Sequence, residues 1–152
     1  MSTFRFAINR NDLEKQFRLQ FDAATAPLRR QMAMAMGREF FNIVHSNFGQ
    51  NGVDRPKTWP ALSAKYARRV GRGYATLYRR GRLKASGRLF VMGDKAVIEF
   101  GGPSAPYAEA HQFGTTHLSA RPFFPIKGSF ETVELTDYTK RRLEQAVQRI
   151  LD

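Results

Sequence analysis

Leu28-Arg29-Arg30-Gln31-Met32-Ala33-Met34-Ala35-Met36-Gly37-Arg38-Glu39-Phe40-Phe41-Asn42-Ile43-Val44-His45-Ser46-Asn47-Phe48 decides the fold. Leu28, Met32, Met36, Phe40, Ile43, Val44 and Phe48 fall on one stripe, the period of a helix with a single apolar side. Gly49 offers its C-terminal cap. Upstream, Leu13, Phe17, Phe21 and Ala24 carry the stripe back towards Asn11 or Asp12, either of which can cap the start. Pro27 interrupts the pattern. It either kinks one helix or opens a second at the first helical position, where its missing N–H costs nothing. The region from about 12 to 48 is thus one kinked helix or two, and its apolar face calls for a sheet.

The sheet is sought on either side. Phe4, Phe6 and Ile8 alternate with Arg5 and Ala7, as in a half-buried strand. Leu89 to Met92 and Ala96 to Phe100 flank Gly93-Asp94-Lys95 and read as a hairpin. Phe130, Thr132 and Val133 suggest a further strand. Residues 49 to 60 have loop chemistry, and Ala61 to Val70 a short helical pattern through Leu62, Tyr66 and Val70 that Gly71-Arg72-Gly73 ends. Ala105 to Phe113 reads as a brief helix stopped by Gly114. Thr136 or Asp137 can cap a last helix with the stripe Leu143, Ala146, Val147, Ile150 and Leu151. The order predicts an α+β fold: a small antiparallel sheet packed by a long, kinked or split N-terminal helix and a C-terminal helix. Neither repeat nor linker divides residues 1–152, so a single domain is expected.

Composition narrows the function classes. Absence of cysteine excludes disulfides and thiolate metal sites. No apolar run approaches the roughly 18 residues of a membrane helix, and the N-terminus lacks a secretion signal, so a soluble, unprocessed protein without membrane contact is expected. Formal net charge is +12. Lys65 to Lys95 holds ten basic residues and one acid, Asp94, or 10 − 1 = +9. Arg68, Arg69, Arg72, Arg79, Arg80, Arg82, Lys84 and Arg88 form a candidate interface on a stretch, about 68–88, expected to be a mobile loop in the isolated monomer. Three readings stay open for it: a solvated loop, an acidic protein partner, or nucleic acid, for which Tyr74 and Tyr78 would supply stacking.

Tyr107-Ala108-Glu109-Ala110-His111-Gln112-Phe113-Gly114 imitates an active site without completing one. His111 and His117 do not share a helix face, and zinc needs three or four convergent ligands. Ser63, Ser86, Ser104 and Ser119 lack a nucleophile elbow, and no phosphate-cradling Gly-Lys-Ser/Thr occurs. Tyr107 and Phe113 are expected to anchor a short helix under the sheet, with His111 hydrogen-bonded locally. Trp59 in Trp59-Pro60-Ala61-Leu62-Ser63 is expected to clamp its loop to the core. No catalytic residue, metal or cofactor is expected.

Taken in order, several motifs resemble the phage virion morphogenesis family, or tail completion proteins, of Mu-like and P2-like phages. They are Phe48-Gly49; Trp59-Pro60-Ala61-Leu62-Ser63 with Tyr66; Leu83-Lys84-Ala85-Ser86-Gly87-Arg88-Leu89; Ala96-Val97-Ile98; Tyr107-Ala108; His111-Gln112-Phe113-Gly114; and Ala120-Arg121-Pro122-Phe123. The resemblance makes Trp59, Leu62, Ser63, Gly87, Leu89, Tyr107, His111, Gly114, Arg121 and Pro122 the motif residues. It implies a non-enzymatic α+β protein of the virion neck or tail, assembled in the host cytoplasm. Such proteins resemble head–tail joining and tail-terminating proteins in role. They form rings, commonly of six copies, that cap the tail tube and receive the filled head. Implied partners are further copies of the chain, the head–tail connector and tail tube or terminator proteins, with packaged DNA as a further contact.

Overall fold

The computed structural model describes residues 3–48, 52–61, 63–70, 81–103, 105–128 and 133–152. Expectations for Gly49, Leu62, Gly71 to Arg80 (Arg72, Arg79 and Arg80 among them), Ser104, Phe130 and Thr132, and for the side chains of Tyr66 and Val70, fall outside the described residues.

The chain opens with β1 (Thr3–Ile8) and a 3-10 turn at Arg10–Asp12. The turn is capped by Asn9, not by Asn11 or Asp12: Asn9 Oδ1 accepts from Asn11 N–H, and Asp12 Oδ2 accepts from Asn9 N–H at 2.9 Å. The first helix therefore starts later, as α1 (Lys15–Ala23). The stripe splits into two helices. Thr25 caps α2 (Ala26–Ser46) with its hydroxyl accepting from Leu28 N–H, and Pro27 sits in the first turn, one residue beyond the expected first position.

Then follow α3 (Ala64–Val70), α4 (Arg82–Ala85), β2 (Arg88–Met92) and β3 (Lys95–Gly101). The two ends of the expected mobile stretch are thus helical in α3 and α4. The hairpin turn is Gly93-Asp94, with Gly93 at φ +62°, where a side chain would be strained. Helix α5 (Ala108–Phe113) is shorter than expected and does end at Gly114. β4 (Ile126–Gly128), not foreseen, pairs with β5 (Val133–Leu135), and α6 (Asp137–Leu151) closes the chain behind the Thr136 cap.

β1, β3 and β2 form an antiparallel sheet in that order, with Phe4 opposite Phe100, Phe6 opposite Ile98 and Leu89 opposite Ile98 on its other side. Phe4, Phe6, Ile8, Ala96, Ile98, Phe100 and Leu89 make the face that receives α2. Gly37 permits the approach: a Cβ there would meet Leu89 Cδ1 at 2.7 Å and Ala96 Cβ at 2.8 Å. The α6 stripe of Leu143, Ala146 and Val147 is buried, and α6 packs along α2. The contact is edged by Arg142 on Glu39 at 2.7 Å. The fold is α+β as expected, with α2 as the helix on the sheet and α6 reaching the core beside it.

Aromatic rings fill the centre. Phe100 has Phe41, Phe48, Phe123 and Phe124 around it, with centroids 5.6–5.9 Å away, a spacing at which aromatic pairs add to area burial. Gly87 abuts this cluster, since a Cβ on it would lie 2.5 Å from Phe100 Cζ.

Candidate functional site

The motif residues meet mainly around the segment Arg121-Pro122-Phe123-Phe124. This segment is buried from Pro122 to Phe124 but belongs to no sheet ladder, so its backbone groups need side-chain partners. They find them. Gln112 of α5 is 3% exposed, and its Oε1 accepts from Phe123 N–H at 3.0 Å and Phe124 N–H at 2.9 Å. Asn47, at the end of α2 and fully buried, donates from Nδ2 to Phe123 C=O at 2.9 Å. Trp59 Nε1–H donates to Pro122 C=O at 2.8 Å. Arg121 reaches back, its guanidinium donating to Pro60 C=O at 3.0 Å and to Ala61 C=O at 3.3 Å. The tryptophan loop and the Arg-Pro-Phe-Phe segment are thereby tied in both directions.

A second tie holds the loop from below. Asn47 exchanges hydrogen bonds with the backbone of Asp54, Nδ2 to C=O at 3.0 Å and Oδ1 from N–H at 2.9 Å. The Asp54 carboxylate accepts from the hydroxyls of Thr136 and Thr139 at the start of α6. An anion there is favoured by the free N–H groups of a helix N-terminus. Arg55 lies over the Trp59 ring at 3.4 Å and donates to Asn47 C=O at 2.8 Å. Trp59 is 8% exposed, so it is the clamp the sequence suggested.

Helix α5 carries the remaining motif. Phe113 meets Phe4 edge-on at 5.5 Å and anchors the helix to β1. Tyr107 does not share that role: at the N-cap of α5 it is 41% exposed and touches His111 edge-on at 5.4 Å. His111 departs from expectation too. Its backbone C=O accepts from Arg121 N–H at 2.7 Å, but its ring Nδ1 is buried with no hydrogen-bond partner. Gly114 turns at φ +78° against the backbone of Leu118 and Ala120. Ser63 is exposed at the entry to α3. Gly87 and Leu89 stand apart from this group, packed on Phe100 and Gly37.

Of the predicted basic interface, Arg68, Arg69, Arg82, Lys84 and Arg88 lie among the described residues. Arg68 and Arg69 are exposed on α3. Arg82 and Lys84 lie on α4. Arg88 is paired within the fold: with Arg5 it brackets the buried Glu99, at 3.4 Å and 2.9 Å.

Burial lowers the His45 imidazole below its usual range, with the charge of Lys84 adding to the effect. Burial and then the charge of Arg121 do the same to His111. His45 Nε2, like His111 Nδ1, is buried without a partner. The unfolded chain therefore takes up protons near pH 6.5 that the folded chain refuses. The stability from these groups is whole above that pH and falls as pH drops through it. Urea unfolding at about pH 7.5 and about pH 5.5 will show a lower midpoint in acid, and replacing both histidines by glutamine will shrink the difference. An unchanged difference would assign the acid sensitivity to other groups.

Among the described residues no group of three or more His, Cys, Asp and Glu side chains could hold a metal ion. A groove of about 390 Å³ opens beside the braces, with Pro56, Lys57, Phe113 and Lys127 in its walls. Gln112, its inward polar group, is already committed to the backbone of Phe123 and Phe124. No described helix is long and apolar enough to cross a membrane.

What the motif defines is a framework: the side chains of Trp59, Gln112 and Arg121 bond to the chain's own backbone. Comparison with known families agrees in kind. The chain belongs to the phage virion morphogenesis family, whose model matches residues 12–149. That membership points to a structural role in building the virion. No curated protein and no solved structure is significantly similar to the chain.

Proposed function

We propose that this protein completes the phage tail at its upper end, as a ring of identical copies to which the filled head is joined. Family membership over residues 12–149 carries the reading. The braced framework supports it, since a ring component needs a rigid body that survives contact on several sides. In this reading the basic stretch from Arg68 to Arg88 grips a neighbouring copy or a connector, tube or terminator protein. Charge-assisted hydrogen bonds from its arginines to carboxylates of that neighbour hold the contact.

Replacing Arg79, Arg80 and Arg82 together by glutamate will leave the thermal melt of the purified protein unchanged. Heads and tails will accumulate unjoined in cells infected with phage carrying the change. Normal yields of infectious particles would refute the assignment of this stretch. The +9 segment also supports a second reading, contact with DNA. That reading requires binding to bare duplex that weakens roughly a thousandfold or more between low and moderate salt, if six or more phosphates are contacted.

A further inference from the structure

Among the described residues the three-stranded sheet ends in β2, whose edge carries a charge at its first residue, Arg88, and none after it. Leu89-Phe90-Val91-Met92 is an unbroken apolar run, yet none of the four side chains is buried, and Met92 is 58% exposed. Edge strands are normally blunted by lysine, proline, a bulge or an inward charge. The run contains no Lys or Pro, and its pairing with β3 is continuous.

The register shows which backbone groups are already used. A two-residue turn joins β2 to β3, so Met92 and Lys95 exchange both hydrogen bonds, as do Phe90 and Val97, and Arg88 and Glu99. Gly101 keeps the same phase, its N–H donating to Ser86 Oγ at 2.9 Å. The N–H and C=O of Leu89 and Val91 therefore point away from β3, and among the described residues no strand pairs with them. At the opposite edge the same parity turns Thr3, Arg5 and Ala7 of β1 outward.

We propose that a second copy of this chain adds its β1, in parallel, to the free edge of β2, so that one sheet runs from copy to copy. Parity selects this occupant and its direction. In a parallel ladder, a residue facing its partner bonds to the two residues flanking the one opposite, and opposite residues share a face. With Leu89 opposite the neighbour's Phe4 and Val91 opposite its Phe6, the bonds go to Thr3, Arg5 and Ala7: three outward positions bracket two. The α2-facing sides of the two copies then align, and their helices stay on one side of the sheet. Antiparallel addition of β1 would put the helices on opposite sides. The outer face gains Arg88 beside Thr3, Phe90 beside Arg5 and Met92 beside Ala7, with no like charges opposed. Joining two different edges is a heterologous contact, which repeats. Only its closure into a ring rests on the function proposed above.

The chain has no cysteine, so engineered pairs report neighbours cleanly. Full-length protein carrying Phe90→Cys and Arg5→Cys will form, on oxidation, a covalent ladder extending beyond the dimer, while either single variant stays monomeric on a non-reducing gel. A dimer from Phe90→Cys alone would mean that two β2 strands meet about a two-fold axis, and the proposal would be wrong. Val91→Pro gives an independent reading. The N–H it removes points out of the sheet, so pairing with β3 survives. The variant will keep its circular dichroism and melt but run as a monomer in light scattering, where the unmodified protein assembles as concentration rises. Should Val91→Pro fail to fold, the cysteine pair decides. Rings that persist in a folded Val91→Pro variant, with no ladder from the cysteine pair, would sink this contact and leave the ring reading standing. A wild type that is monomeric at every concentration would sink both.

Discussion

Trp59→Ala will lower the folding free energy by about 3–5 kcal/mol, read as a fall in the urea midpoint at unchanged slope. The substitution removes a large side chain that is 8% exposed and leaves a cavity beneath a loop held by few apolar contacts of its own. It also deletes the donor to Pro122 C=O and the ring beneath the Arg55 guanidinium. Trp59→Phe separates these effects. It keeps most of the packing and orphans the carbonyl, at a cost of about 1–3 kcal/mol. An alanine variant within about 0.5 kcal/mol of wild type, the range of ordinary surface changes, would show that the indole does not hold the loop.

Asn47→Leu will be comparably damaging although it keeps the branched outline and the number of heavy atoms. Asn47 is fully buried, and its amide serves the Asp54 N–H, the Asp54 C=O and the Phe123 C=O at once. Leucine would strand all three. Each orphaned buried group costs about 1–3 kcal/mol, and partial relaxation brings the expected total to about 3–5 kcal/mol. The loss has a local signature. The Asp54 amide will exchange its hydrogen far faster than in wild type, and the hydroxyls of Thr136 and Thr139 will lose a partner that depends on Asp54 staying in place. Protection of that amide equal to wild type would mean that another group holds the loop.

The sequence made the scaffold readable because its signals are periodic. The α2 stripe, the β1 alternation, the hairpin around Gly93 and the α6 stripe each repeat a spacing set by backbone geometry. What escaped it has a physical cause in each case. β4 and its partner β5 are three residues long each, so neither alternates long enough to register. The Asn9 cap was missed because Asn9, Asn11 and Asp12 are all good capping residues, and only the path of β1 selects among them. Within the site, Trp59 was legible as a clamp by its size and its place beside prolines. Gln112 and Asn47 were not. A glutamine in a short helix and an asparagine at a helix end usually face water, and their role depends on a segment at positions 122 to 124 that comes close only in three dimensions. The one available signal was that Gln112 and Phe123 each lie in a motif of the family resemblance, His111-Gln112-Phe113-Gly114 and Ala120-Arg121-Pro122-Phe123. The misreading of His111 has the same origin, since nothing in the chain order indicates that its ring Nδ1 is buried without a hydrogen-bond partner.

Gln112, Asn47, Trp59 and Arg121 all address main-chain atoms of the segments they secure. Carbonyl and amide groups are common to nearly every residue type, so recoding the outward positions around them does not remove an anchor. Pro60 and Ala61, for example, present exposed side chains while their carbonyls stay engaged with Arg121. The molecule can therefore change the surface it shows a neighbour while its chassis stays put. That latitude would let one architecture be refitted to virions of different make.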